Sequence, residues 1–266
     1  MASEQALVRP AGARFPAGAY LGAMLAEAWV GTSGFAYREW VGHVYPPETA
    51  AHELLPMYAQ KLSGVEVSSF PLDVAAAWAA AVPPGFQFAL KAPNRVVADL
   101  AGGKGVSRAM GTFLESAVGL GAALGPVLIQ IPGSRRADRH ALAEFLEGLP
   151  QGLRVAFDFK HPSWREDATL RLLSAHDAAL VITDEGDGTP PLTVTAGFTY
   201  VRIRGEGDDE HVIDAWAERL GALARRGIDV YAFLKHDRRG VAVDRAMRLA
   251  ALLRAESEVG EQAMLS

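Results

Sequence analysis

Asp158, Lys160 and His161, with Trp164 three positions on, follow the apolar start of "VAFDFKHPSW" (155–164). An acid, an amine and an imidazole at the end of a buried run are the groups that transfer protons and hold anions. Similar endings recur along the chain. Other apolar runs close on Thr32 and Ser33, on Glu66, Ser68 and Ser69, on Lys91 with Arg95 beyond, and on Gln130. Later ones close on Thr183 and Asp184, on Arg202 and Arg204, and on Lys235, His236 and Asp237. If these endings share one opening, Glu66 or Asp158 could act as a base and His161 could carry a proton at neutral pH. Lys91, Arg202 and Arg204 could hold an anion. Ser33, Lys160, Trp164, Asp184, Lys235 and His236 would complete the substrate contacts.

Each of these residues also has a plainer reading. The cations and acids could pair only with one another. Trp164 could pack on a rim, or its ring could stack on a sugar or base. Ser163 with Glu166 has the spacing of a capping box ahead of "LRLL". Glu66, Asp158, His161, Asp184 and His236 are metal-ligand types. The neighbouring lysines and arginines compete for the same carboxylates, so a divalent metal is not favoured and no cofactor is assigned.

The elements that must position these residues alternate in type. Strand-like runs lie at 28–33, 64–69, 85–91, 125–131, 153–159, 178–183, 198–203 and 228–234. Most are continuously apolar, as strands covered on both faces are. Helical spacing fills 49–62, 73–81, 106–122, 137–148, 163–176, 210–226 and 240–254. The stretch "DEGDGTPPLTVTAG" between the sixth and seventh strands reads as loop, so a helix is missing there. Eight strands with about seven helices predict a single (β/α)8 TIM-type barrel over 27–256, α/β in class. Residues 1–26 read as a loosely ordered extension, with Met24 as an alternative start, and 257–266 as a tail. In such a barrel all strand C-termini meet at one mouth, where chemistry sits.

Composition narrows the function. The chain has 266 residues, 50% hydrophobic and 21% charged, with net charge −5 and no cysteine. Disulfides, thiolate metal sites and a cysteine nucleophile are excluded. No window is long and apolar enough to span a membrane, and a cytoplasmic protein is the expectation. An acidic chain that gathers Lys91, Arg95, Lys160, Arg202, Arg204 and Lys235 at one opening would attract an anionic small molecule or phosphodiester. The rim cations Arg95, Lys104, Arg135, Arg136, Arg238 and Arg239 leave nucleic-acid binding as a lesser alternative. "GGKG" (102–105) lacks phosphate-loop spacing and reads as a flexible loop.

The motif "VGTSGFAYREWVGHVYPPE" (30–48) resembles the signature of the YecE-like family, also termed domain of unknown function 72. Ordered echoes follow in "VEVSSF" (65–70), "PPGFQFALKAP" (83–93), "GPVLIQIPGSRR" (125–136), "VAFDFKHPSW" (155–164), "YVRIRG" (200–205) and "YAFLKHD" (231–237). The resemblance implies an α/β barrel and brings no assigned activity. Gly31, Thr32, Ser33, Gly34, Lys91, Pro93, His161, Pro162, Trp164 and Arg202 follow the family pattern. Asp158 and Lys160 stand where the family has Glu and Arg, and Arg204 where it has His. Ser68, Ser69 and Pro71 also depart, as do Lys235 and His236, which replace a pair of Asn. The resemblance therefore implies a divergent member. Either a hydrolase or isomerase of altered specificity, or a ligand-binding or regulatory barrel that has lost an ancestral activity, fits those changes.

Overall fold

The computed structural model describes residues 26–68, 73–184, 189–205 and 210–264. Most of the expected N-terminal extension, together with Ser69, Phe70 and Pro71, lies outside these residues. Eight parallel strands close a barrel in sequence order. They are β1 (Ala28–Ser33), β2 (Gly64–Val67), β3 (Gln87–Lys91), β4 (Leu124–Ile131), β5 (Val155–Phe159), β6 (Ala179–Asp184), β7 (Phe198–Ile203) and β8 (Asp229–Leu234). The helices are α1 (Leu54–Ala59), α2 (Ala75–Ala80), α3 (Asn94–Ala101), α4 (Arg108–Ala117), α5 (Arg139–Glu147), α6 (Asp167–Ala175), α7 (Glu210–Ala224) and α8 (Val241–Met264). Among the described residues no helix is long and apolar enough to cross a membrane.

Period-two alternation sorts each strand into two layers. Trp29, Ala89, Leu128, Ala156, Val181, Tyr200 and Phe233 fill the barrel interior. The alternate residues, such as Val30, Val65, Phe88, Ile129, Phe157, Val201 and Ala232, pack outward in the core that includes the helices. Both layers are apolar, which is why the strands read as continuous hydrophobic runs. The approach of β1 to β2 requires glycine. Gly31 pairs with Gly64, and a Cβ on Gly31 would lie 1.8 Å from the Gly64 carbonyl oxygen.

The expected loop between β6 and β7 holds: residues 189–197 contain neither helix nor strand. Two expectations need correction. First, α3 forms at Asn94–Ala101, where no helix was expected. Its Val96, Val97 and Leu100 are buried at helical spacing, and the Gly102 N–H donates to the Ala98 carbonyl at the stop. "GGKG" (102–105) is the turn that follows the helix, neither helix nor strand as expected, and Lys104 is tied to Asp99 at 3.2 Å. Second, Ser163 does not cap α6. It lies in a single 3-10 turn, Pro162–Trp164, where its hydroxyl accepts the Ala137 N–H and meets His161 Nδ1. Glu166 occupies the cap position with no side-chain bond to the helix. The long helix expected at 106–122 is α4, capped by Ser107, followed by a 3-10 segment with a positive φ at Gly121. α8 runs on to Met264, past the expected end at 254.

Candidate functional site

Inward-facing residues at the C-terminal ends of the strands form one connected network. Arg202, on β7, is buried and bridges two acids. One terminal nitrogen donates to Asp158 Oδ2 at 3.0 Å, the other to Glu66 Oε1 at 2.9 Å. Glu66, completely buried on β2, also accepts from the Ser33 hydroxyl at 2.9 Å and from the Tyr200 hydroxyl at 2.8 Å. Asp158 Oδ2 also accepts from Gln130 Nε2 at 2.9 Å, and its Oδ1 pairs with the Lys160 ammonium at 3.1 Å. The Lys91 ammonium donates to Gln130 Oε1 at 2.8 Å. Ser33, Glu66, Lys91, Asp158, Lys160 and Arg202 are thus joined from five different strands and the turn after β5.

Burial and charge set the character of this network. Burial works against the Arg202 charge, but the Glu66 carboxylate beside it, reinforced by Tyr200 and Asp158, outweighs that. The guanidinium holds its proton more tightly than in water. Burial and then the Glu66 charge push the Tyr200 phenol well above its ordinary range, so it stays a donor. Arg202 Nε is buried with no hydrogen-bond partner among the described residues. In formal charge, the cations Arg202, Lys160 and Lys91 meet the two carboxylates Glu66 and Asp158. Three against two leaves one positive charge. Lys91 carries it, because its hydrogen-bond partner is a neutral amide.

Beside Lys91 a cavity of about 570 Å³ opens between the ends of β2 and β3 and the helices α3 and α4. Arg95, Arg108, Asp99 and Ser68 line it with Lys91. The Ser107 hydroxyl and the Lys104 ammonium hold the Asp99 carboxyl below its usual range. Asp99 is thereby occupied with Lys104 and, at 3.9 Å, with Arg95.

Other expected residues sit elsewhere. Asp184 follows Thr183 on β6, so alternation turns it outward; the α7 residue Trp216 donates its indole N–H to Asp184 Oδ2 at 3.4 Å. Trp164 is buried, stacked on Phe159 at 4.4 Å, and its N–H donates to the Arg135 carbonyl. Both are withdrawn from the mouth network and support loops or helices. His161 is turned to its own backbone: Nδ1 accepts the Ser163 N–H at 3.1 Å. Arg204 lies half-buried just past β7, and its backbone N–H donates to the Asp184 carbonyl. Lys235 and His236 are exposed beyond β8, and the His236 ring stacks on Tyr37 at 4.3 Å. Among the described residues no three His, Asp or Glu side chains group as a metal site.

Two residues of the mouth escaped the sequence reading. Tyr200 had a signal, since it lies two positions before Arg202 and so shares its face. Tyr37, whose hydroxyl donates to the Ser33 carbonyl at 2.6 Å, lies in a loop where no periodicity applies.

A sequence profile for a protein family of unknown function, DUF72, matches residues 29–265. The chain belongs to the DUF72 family. The YecE-like resemblance points to the same family. A DUF72 family protein of Thermotoga maritima MSB8 has a crystal structure similar to this one, with a TM-score of 0.75 at 25% identity. The match covers 86% of this chain and 99% of that one. A DUF72 family protein of Enterococcus faecalis V583 shares the fold at 18% identity, with a TM-score of 0.64 over 86% of this chain and 98% of its own. No curated protein sequence matches the chain.

Proposed function

We propose that this DUF72 barrel is an enzyme that binds a small anionic substrate, a phosphate ester or a carboxylate, at its C-terminal mouth. The observation that carries the reading is Lys91. Its ammonium faces a neutral amide partner next to a cavity that also holds Arg95 and Arg108. A cation without a carboxylate partner in a partly enclosed cleft attracts an anion more strongly than the same charge on an open surface.

Asp158 suits the role of base better than Glu66. Both Glu66 oxygens are engaged by buried donors, and taking a proton there would displace Ser33, Tyr200 or Arg202. Asp158 Oδ1 is held instead by Lys160, whose side chain is 30% exposed and can swing away. Arg202 fixes the position of both acids, and Glu66 fixes Arg202. Proton transfer between Asp158 and a bound anion, with Lys160 beside the charge that develops, fits hydrolysis or isomerisation. His161 would need its Nε2 for any shuttle, because Nδ1 is engaged.

A non-catalytic ligand-binding barrel is the second reading, favoured by the number of donors already placed on the two acids. Turnover of whatever binds separates the two. The test of the shared premise is calorimetric titration with inorganic phosphate, followed by thermal-shift screening of phosphate esters and carboxylates. Lys91→Ala should weaken phosphate binding about tenfold or more, since a hydrogen bond to a charged group contributes roughly 1.5–3 kcal/mol. Equal affinity in wild type and variant would remove Lys91 from the site. A steep fall of affinity for single-stranded DNA with salt would instead point to the rim arginines and a polyanionic partner.

A further inference from the structure

On the opposite side of the barrel one ladder is short at the mouth end. The β5–β6 ladder consists of Ala156 with Ala179 and Phe157 with Leu180. Beyond that pair, β5 stays with β4 as far as Phe159, and β6 stays with β7 as far as Asp184. The two strands therefore part at the mouth end, leaving a seam between Asp158 and Phe159 on one edge and Val181 to Thr183 on the other. No helix follows β6 to cover it in residues 189–197. An extended strap crosses instead. It is pinned at one end by Arg219, which donates to the Pro190 carbonyl. At the other, the Thr195 hydroxyl donates to the Ala178 carbonyl and accepts the Leu180 N–H.

Between seam and strap lies a cavity of about 500 Å³, within the size range of small-molecule sites. Its walls are mainly apolar, formed by Leu170, Leu180, Ile182, Pro190 and Pro191, with Thr189 and Thr193 among them. One end holds Lys160 and Arg165 together with Asp158, whose carboxylate pairs with Lys160, leaving the Arg165 charge in excess. Arg165 is exposed and makes no ion pair among the described residues. The Thr183 hydroxyl, also in the lining, is shielded from water and has no hydrogen-bond partner. A mainly apolar cleft with one excess positive charge at its end, on Arg165, has the complement of one ligand class.

We propose that this seam is a binding site for an amphipathic monocarboxylate, with its apolar body between β6 and the Pro190–Pro191 strap and its carboxylate at Lys160 and Arg165. The carboxylate would then lie beside Asp158, while the body stays outside the barrel. The cavity is separate from the Lys91 cavity, though it shares Lys160 and Asp158 with the chemistry proposed above, and its ligand binding is tested without turnover.

The test is calorimetric titration of the full chain with straight-chain carboxylates from butanoate to octanoate. Affinity should rise about fourfold per methylene, the equivalent of ~0.8 kcal/mol for each buried CH₂. Arg165→Glu reverses an exposed charge without touching the packing, and it should weaken octanoate at least tenfold. Thr193→Phe, placed in the cavity lining, should abolish binding, while Lys91→Ala should leave it unchanged. Absence of octanoate binding, or no dependence on chain length, would overturn the proposal. So would a loss in Lys91→Ala with none in Arg165→Glu, which would move the ligand to the other cavity. Octan-1-ol binding as tightly as octanoate would overturn the charged head. The phosphate titration with Lys91→Ala succeeds or fails independently of all these results.

Discussion

Arg202 is buried between Glu66 and Asp158, and everything at the mouth is referred to it. A guanidinium can serve two carboxylates at once because its N–H groups form a rigid planar fork. An ammonium is a single point and cannot hold both geometries. Arg202→Lys should therefore lose part of the stability, and Arg202→Met should lose more, because it leaves two buried carboxylates facing each other. Breaking a buried pair of this kind costs about 3–5 kcal/mol. Urea unfolding of the three proteins should rank them wild type, Lys, Met in falling midpoint. Equal midpoints would mean the acids are solvated and the network is not closed. Alternation made much of this arrangement readable. Ser33, Glu66, Lys91, Asp158 and Arg202 all sit at inward positions of their strands, whereas Asp184, one step past the inward Thr183, does not. Polarity at a strand end could be read from the residues, but which face it takes depends on the register of the strand.

At the scale of elements, α8 begins on a carboxylate. Asp237 accepts the backbone N–H groups of Arg239 at 2.7 Å, Val241 at 3.2 Å and Ala242 at 2.6 Å. Burial raises the Asp237 pKa, but these N–H donors more than offset it, and the carboxyl ends below its ordinary value. A depressed folded pKa means the unfolded chain binds the proton more readily. The stabilisation is therefore present above the unfolded value of about 3.9 and lost as pH falls through the folded one. Asp237→Asn keeps an acceptor but removes the charge that complements the helix N-terminus, worth about 0.3–1 kcal/mol. Melting temperatures should differ between wild type and variant at pH 7, and the gap should narrow as pH falls below about 3.9; a gap that stays constant through that fall would exclude the charge as its cause. The strands were legible to within a few residues because both their faces are apolar. α3 was not, since Pro93 before it and Gly102–Gly103 after it read as loop punctuation around only eight residues. Their burial against the rest of the core makes them a helix, and that contact is not local in sequence. Tyr37 on His236 was unreadable for the same reason: the stack joins a loop after β1 to a loop after β8.

Across the whole molecule the two ends of the barrel divide the work. The mouth gathers the charges joined through Arg202. The base is closed by a charge laid over the barrel's aromatic floor. Arg154, just before β5, lies 5.4–5.9 Å from the ring centres of Trp29, Phe198 and Tyr231. It pairs with Asp229 at 2.6 Å and donates to the Tyr231 hydroxyl at 2.8 Å. Burial pushes that hydroxyl up to about 12, so it stays protonated through the physiological range. Trp29 and Tyr231 stack at 4.5 Å beneath it. The guanidinium is a lid over an aromatic floor, half in water. A cation over aromatic faces contributes about 0.5–2 kcal/mol depending on its exposure, and the half-exposed pair with Asp229 adds about 0–1 kcal/mol. Arg154→Ala should thus lower stability by roughly 2 kcal/mol. In a barrel of this kind the N-terminal face supplies stability and the C-terminal face supplies chemistry. The same variant should then bind phosphate and octanoate with unchanged affinity at temperatures where it is folded. Denaturant midpoints and calorimetric titrations on one preparation measure both quantities. If Arg154→Ala weakened either ligand without unfolding, the base and the mouth would be coupled through Tyr200 and Phe233, whose rings lie 5.3 Å apart in the layer between them.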